Sequence, residues 1–208
     1  MFFKQLRLTL AAAKKNDPSA PSKLTILLSY PGVHALMYYR VAHFFNQIKW
    51  TGLARIISNM GRTFTNIDIH PGAQIGKGLF IDHGAGVVIG QTAVIKDNVV
   101  IFHGVTLGSN SVKSTGNRHP NIGNNVTIYA NSVLVGNITI GDNSIIGANS
   151  MVKQDIPNNS VVVGNPMRFI SIDNKRIYDT NCECEIMRQE LENLKERLNE
   201  LQARKSEQ

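Results

Sequence analysis

The sequence predicts a mainly β protein: a three-sided parallel solenoid, with an α-helical region before it and a helical tail after it. Three observations predict this. A small or aliphatic residue returns every six positions, at Ile69, Ile75, Ile81, Val87, Ala93, Val99 and Val105, and again at Ile122, Ile128, Leu134, Ile140, Ile146 and Val152. Gly often follows the marked residue, as in Ile75-Gly76, Ile122-Gly123, Ile140-Gly141 and Ile146-Gly147. The apolar period changes on both sides of this stretch, to helical spacing before it and to heptads after it. A helix needs apolar spacing near 3.6 and an ordinary strand needs 2, so a strict six fits neither alone. It fits a coil whose flat sides are each one six-residue unit. Three units close the coil, and marked side chains stack on those about eighteen positions away in one aliphatic column.

Residues 1–66 read as helical. Asn16-Asp17-Pro18 marks a helix boundary, because Pro is disfavoured inside a helix and accepted near its start. Pro31-Gly32 breaks the next segment. Val33, Leu36, Met37, Arg40, Val41 and Phe44 then fall at helical spacing, as do Leu53, Ile56, Ile57 and Met60. Residues 67–170 are the solenoid. Its marks jump from Val105 to Ile122, so about eleven residues bulge out between coils. That insertion, Ser109 to His119, is rich in Ser, Asn, Gly and Lys, the composition of an exposed loop. Residues 171–208 end in heptads: Cys184, Leu191 and Leu198 on one seam position, Met187, Leu194 and Leu201 on the other, with Glu190 and Lys195 placed for an interchain ion pair. The seam predicts self-association; docking on the protein's own body is the alternative. A solenoid has open strand edges at both ends, and the flanking helical segments can cap them.

The chain has 208 residues, 42% of them hydrophobic, enough for a packed core. A formal net charge of +7 suits a polyanionic partner or simply a solvated lysine-rich surface. No Lys/Arg run exceeds two residues and no base-reading motif is present, so no nucleic-acid partner is expected. Cys182 and Cys184 make neither a disulfide framework nor a complete metal set. A reducing cytoplasm is the simplest setting. The N-terminal apolar start is broken by Lys4, Gln5 and Arg7, unlike a signal peptide. Residues 24–45 are interrupted by His34, Arg40 and His43, so no run reaches the ~18 apolar residues of a membrane span.

A solenoid built for stability alone needs no cluster of His and Asp. This one carries Asp68, His70, Asp82, His83, His103, Arg118 and His119. His83 follows the inward Ile81 at a corner and can act as a general base, since imidazole titrates near neutrality. A carboxylate such as Asp68, fifteen residues earlier and close to one coil away, can hold the ring and stabilise the imidazolium. The plainer reading of an Asp-His pair is a corner hydrogen bond.

The pair sits within an ordered series: Asn16-Asp17-Pro18, Ile67-Asp68-Ile69-His70-Pro71-Gly72, Phe80-Ile81-Asp82-His83-Gly84, Gly86-Val87-Val88-Ile89-Gly90, Gly104-Val105-Thr106-Leu107-Gly108 and Arg118-His119-Pro120. Over roughly residues 14 to 168 the chain resembles the serine O-acetyltransferases of the hexapeptide-repeat acyltransferase superfamily. The resemblance implies a left-handed parallel β-helix and acetyl transfer from acetyl-CoA to the hydroxyl of L-serine, the first step towards cysteine. It implies that His83 takes the serine hydroxyl proton and that Asp68 orients His83. Asp17 and Asp82 would face the substrate ammonium, and Arg118 and His119 its carboxylate or the developing charge. It implies a homotrimer with acetyl-CoA between neighbouring solenoids, lined by Gly108, Ser109, Ala130 and Ala148, with Lys153 and Arg168 at the phosphates. No metal is expected. A zwitterionic acceptor needs paired anionic and cationic groups in fixed geometry.

Five features depart from the family pattern, the first being the absence of the long N-terminal helical domain of many members, which resembles the shorter bacterial forms and leaves both a trimer and a dimer of trimers open. Gln91 stands where members usually carry Glu. Gly108-Ser109-Asn110-Ser111 replaces Gly-Gly-Thr-Gly, and His103 replaces a common Gln. The end, Ser206-Glu207-Gln208, lacks the terminal Ile that docks on the next enzyme of the pathway, so no such docking is expected. His103-Gly104 is similar to enzymes that acetylate sugars of surface polysaccharides, which makes sugar O-acetylation the competing reading. A metal site drawn from His70, His83, His103 and His119, and a non-catalytic trimeric scaffold, are further alternatives.

Overall fold

The computed structural model describes residues 2–20, 22–110 and 116–177, together with 191, 192, 194, 195 and 197. Four helices come first: α1 (Phe2–Asn16), α2 (Lys23–Ser29), α3 (Pro31–Gln47) and α4 (Thr51–Thr65). Local chemistry sets their ends. Ser22 caps α2 by accepting from the Thr25 backbone N–H at 3.2 Å. Pro31 opens α3 at its first turn, where a missing N–H costs nothing. Asn66 closes α4 in the left-handed conformation (φ 56°).

Short strands then follow in coils. The first coil is β1 (Asp68–Ile69), β2 (Gln74–Ile75) and β3 (Phe80–Asp82); the second is β4 (Val88–Ile89), β5 (Val94–Ile95) and β6 (Val100–Phe102). The third is β7 (Thr106–Gly108), β8 (Asn121–Ile122) and β9 (Thr127–Ile128); the fourth is β10 (Val133–Val135), β11 (Thr139–Ile140) and β12 (Ile145–Ile146). β13 (Met151–Val152), an isolated bridge from Ile140 to Ile156, and β14 (Val161–Val163) complete the stack. The sides are parallel sheets: β1-β4-β7-β10-β13, β2-β5-β8-β11, and β3-β6-β9-β12-β14. β15 (Arg168–Ile172) then turns back antiparallel on β14.

Each side buries two residues, and this corrects the six-residue frame. Val87 and Ile89 both point inward, as do Ala93 and Ile95, Val99 and Ile101, and Val105 and Leu107. The residues that stack across strands are Ile69 on Ile89, Ile75 on Ile95 and Ile81 on Ile101, each 20 positions apart rather than eighteen. From Ile89 to Leu107 the repeat is 18. The corner after β3, which holds His83, therefore carries two extra residues, hidden because the apolar frame slides from one inward position to the other. Across the insertion Ile101 stacks on Ile128, 27 positions away, so the bulge is nine residues and not eleven.

Another corner is an asparagine ladder. Asn98, Asn125, Asn143 and Asn159 all have positive φ, which Asn tolerates better than other side chains. Their amides bond in series at 3.3, 3.0 and 3.1 Å, satisfying polar groups along the stack.

The aliphatic column continues into the helices. Ala35, Leu36 and Tyr39 of α3 pack on Ile67, Ile69 and Ile81 and cap the open first coil. Tyr39 Oη donates to the Ala73 carbonyl at 2.7 Å and Ser58 Oγ to that of Ile69 at 2.7 Å, so side chains take up carbonyls at the solenoid's open end. A second cluster of Ala12, Ala13, Ile26, Val33 and Phe80 seats α1 and α2 on β3, which carries Asp17 towards the His83 corner. Residues 1–175 form one compact unit and residues 176–208 another. Leu191, Glu192, Leu194, Lys195 and Arg197 are helical; Cys182, Cys184, Met187, Glu190, Leu198, Leu201 and the end at Gln208 lie outside the described residues.

Candidate active site

The corner after β3 runs Asp82-His83-Gly84-Ala85-Gly86, with His83, Gly84 and Gly86 at φ 58°, 69° and 75°. A Cβ on Gly84 would run into the Ile67 side chain. This left-handed turn lifts the His83 ring off the solenoid: its side chain is 77% exposed, against 26% for Asp82. His83 Nε2 lies 3.9 Å from Asp82 Oδ2. The ring meets His103 edge to face, centroids 6.2 Å apart.

Asp17 joins this corner from the end of α1. One carboxylate oxygen accepts from Ser19 N (2.8 Å) and Ser19 Oγ (2.7 Å), and the other from Tyr30 Oη. The Tyr30 bond, the Ser19 bonds and the field of His83 hold the Asp17 carboxyl below its ordinary range, so it is an anion. The same bond to Asp17 pushes the Tyr30 phenol up to about 12, a fixed donor. Tyr30 escaped the sequence reading. It looks like an apolar helix boundary before Pro31, and no spacing rule links it to Asp17.

Asp68 follows the segment that lies against this corner, where Gly86 N donates to the Asn66 carbonyl and Asp68 N to the Val87 carbonyl, each at 2.8 Å. It points outward from β1, beneath Val88, and pairs with Arg62 at 3.4 Å. No hydrogen bond joins it to His83 among the described residues.

Arg118 and His119 gather at a different corner, after β4. Arg118 Nη2 donates to Gln91 Oε1 at 3.2 Å, and Arg118 N donates to Thr92 Oγ1 at 3.0 Å. His119 is buried. Its Nδ1 accepts from Thr92 N at 3.2 Å and lies 2.8 Å from Thr92 Oγ1. Burial and then the Arg118 charge hold its pKa below the ordinary value, so the ring is neutral at pH 7. With Nδ1 accepting, the proton sits on Nε2. The ring lies across the Gly90 backbone, where any Cβ would overlap Nε2 and Cδ2. Gly90 and Thr92 are the supports that a sequence reading centred on charged residues passed over.

The two corners end the same side of the triangle. Val87 to Gln91 alone spans about 13 Å at ~3.3 Å per residue. One copy therefore cannot bring His83 and Arg118 to a single molecule only a few bonds long.

The remaining site residues divide the same way. β3 stacks on β6, β6 on β9 and β9 on β12, so His83, His103, Ala130 and Ala148 follow the same strand position in successive coils. Phe102 and Tyr129 stack beside them, ring centroids 5.0 Å apart. Gly108 pairs with Val135, and Lys153 continues that column beside Ser109, at the Arg118 end of the side. Arg168 opens the antiparallel β15 and pairs with Val163. Among the described residues no group of three or more His, Cys, Asp or Glu is arranged to hold a metal, and no helix is long and apolar enough to cross a membrane.

Comparison with known proteins places this geometry. A family model described as bacterial transferase hexapeptide (six repeats) matches residues 119–154. A serine acetyltransferase of Staphylococcus xylosus is 48% identical over 179 residues, covering 86% of this chain and 82% of its own. One from Helicobacter pylori (strain ATCC 700392 / 26695) is 47% identical over 168 residues, covering 81% of this chain and 98% of its own. The chain belongs to the serine acetyltransferase family. Among solved structures, soybean serine acetyltransferase complexed with serine aligns with TM-score 0.78 and 41% identity, covering 81% of this chain and 69% of that one. Serine acetyltransferase of Brucella abortus strain S19 in complex with coenzyme A aligns with TM-score 0.79 and 39% identity, covering 82% and 68%. Within this family of acetyl-CoA-dependent O-acetyltransferases, the present serine acetyltransferase homologue holds its arginine by Gln91.

Proposed function

We propose that this protein transfers the acetyl group of acetyl-CoA to the hydroxyl of L-serine, giving O-acetyl-L-serine and CoA, on the way to cysteine. The observation that carries the reading is the convergence of two carboxylates, Asp17 and Asp82, on the exposed imidazole of His83. An ammonium-bearing alcohol fits that corner; a neutral sugar alcohol would leave both anions without a cation.

Serine seats its ammonium against Asp17 and Asp82. His83 takes the hydroxyl proton as the serine oxygen attacks the thioester carbonyl. The tetrahedral intermediate collapses, the C–S bond breaks, and His83 returns the proton to the leaving CoA sulfur. A positioned base of this kind contributes roughly 10²–10⁴ in rate. Asp68, near the start of the same side, stabilises the imidazolium through space, and its exchange from Arg62 to His83 would orient the ring.

The carboxylate and the developing oxyanion need cationic or N–H donors. Arg118 and the neutral Nε2–H of His119 supply them from a neighbouring copy, because the length of one side separates the corners within a chain. The working unit is therefore a homotrimer in which each site is shared by two copies. Acetyl-CoA lies in the groove between them, along Ala130 and Ala148 of one copy and Gly108, Ser109 and Lys153 of the next, with Arg168 near its phosphates. The cytoplasm, where acetyl-CoA and reduced cysteines are at hand, is the proposed compartment.

The test is thiol release from acetyl-CoA against a panel of acceptors. L-Serine should be turned over at least tenfold faster than any sugar. A sugar that outpaces serine, with Asp17→Asn harmless, would transfer the assignment to sugar O-acetylation.

A further inference from the structure

Away from both corners, a cavity of about 1100 Å³ opens between α3 and the second side of the solenoid. Its wall includes Arg40 and Lys96, with Gln5, Gln74, Phe44 and Ile95. Arg40 is the unusual member. Its guanidinium is half-buried, its Nη2 is buried without a partner, and no hydrogen bond or ion pair reaches it among the described residues. Burial alone disfavours its charge. An arginine cannot escape by losing its proton, so an uncompensated buried guanidinium is costly unless an anion meets it.

Among the described residues no carboxylate pairs with Arg40. Between Asp17 and Asp68 there is no Asp or Glu, and Asp17 is engaged by Tyr30 and Ser19 at the other corner. The cavity's carboxylate, Asp97, accepts from Lys77 N at 2.8 Å and makes no ion pair with Arg40. A second buried atom without a partner, Gln5 Oε1, belongs to the same wall. The polar demand of this cavity is thus for an anion that can also donate a hydrogen bond, beside an apolar surface.

We propose that this cavity is a second ligand site, which takes a small organic anion with its carboxylate or phosphate group against Arg40 and Lys96. It shares no residue with the catalytic corners, so the inference stands or falls apart from the acetyl-transfer reading.

The test is the shift in Tm of the full chain, at constant ionic strength, on titration with inorganic phosphate in one arm and 3-hydroxybutyrate in the other. Three proteins are compared: wild type, Arg40→Met and Lys96→Met. Wild type should gain several degrees, saturably, with at least one anion, and the arm that responds identifies the head group. Arg40→Met should lose the response, and Lys96→Met should weaken it at least threefold in apparent affinity. In chloride alone Arg40→Met should melt no lower than wild type, since a cation without a partner has been replaced by an apolar chain of similar reach. A wild type indifferent to both anions, an equal response in Lys96→Met, or an Arg40→Met protein that still responds would overturn the site. If Arg40→Met does not fold, the Lys96→Met comparison decides alone.

Discussion

Thr92 fixes the tautomer of His119: its backbone N–H reaches Nδ1 at 3.2 Å and its hydroxyl lies 2.8 Å from the same atom. The imidazole is left with one proton, on Nε2, directed across Gly90. Gly90→Ala should therefore push the ring out of place. Overpacking of this kind costs roughly 1–3 kcal/mol. Because a small misplacement of a donor loses about 10²-fold in rate, kcat should fall by that order while the protein still folds. Circular dichroism melting with steady-state kinetics checks both; unchanged kcat would remove His119 from the site.

Tyr30→Phe deletes one donor to Asp17 and leaves Ser19 in place. The carboxylate should lose orientation rather than charge. The KM for L-serine should rise by about 10- to 150-fold, the value of one hydrogen bond to a charged group, with the KM for acetyl-CoA within twofold. Equal rises in both would show that Tyr30 supports the fold and not the acceptor.

Mixing tests the shared site. His83→Ala and Arg118→Ala should each be nearly inactive alone. Refolded together, random trimers contain sites with both intact halves, restoring roughly a quarter of wild-type activity. A mixture no more active than its components would mean that one copy holds the whole site.

Acid should destabilise the protein through His70. Its Nδ1 accepts from Gly72 N at 2.9 Å and its Nε2 is buried without a partner among the described residues. Burial first, then Arg55, His119 and Arg118, lower its pKa from 6.5 to about 4. The unfolded chain takes up that proton near 6.5 and the native state does not. Stability present above pH 6.5 is therefore lost as pH falls towards 4, on the order of 1–2 kcal/mol after solvent screening. Tm measured from pH 7 to 4 should fall less steeply in His70→Asn; parallel curves would acquit His70.

The solenoid was legible because thirteen aliphatic marks at one period leave few architectures open. The coil lengths were not. Two inward positions on each side let the frame run from Ile81 to Val87 without a visible break, while the stacked strand residue is Ile89. Asp17, Asp82 and His83 were legible as a group through their ordered motifs. Thr92 and His119 were not, because 27 residues separate them and neither is charged in the pair. Tyr30 was missed for a like reason, since its role depends on how α2 and α3 turn beside α1.

The most direct test of the central claim is the rate of CoA release from acetyl-CoA with saturating L-serine in His83→Ala. The account predicts a fall of at least about 10²-fold with the oligomer intact. Turnover close to wild type would contradict it.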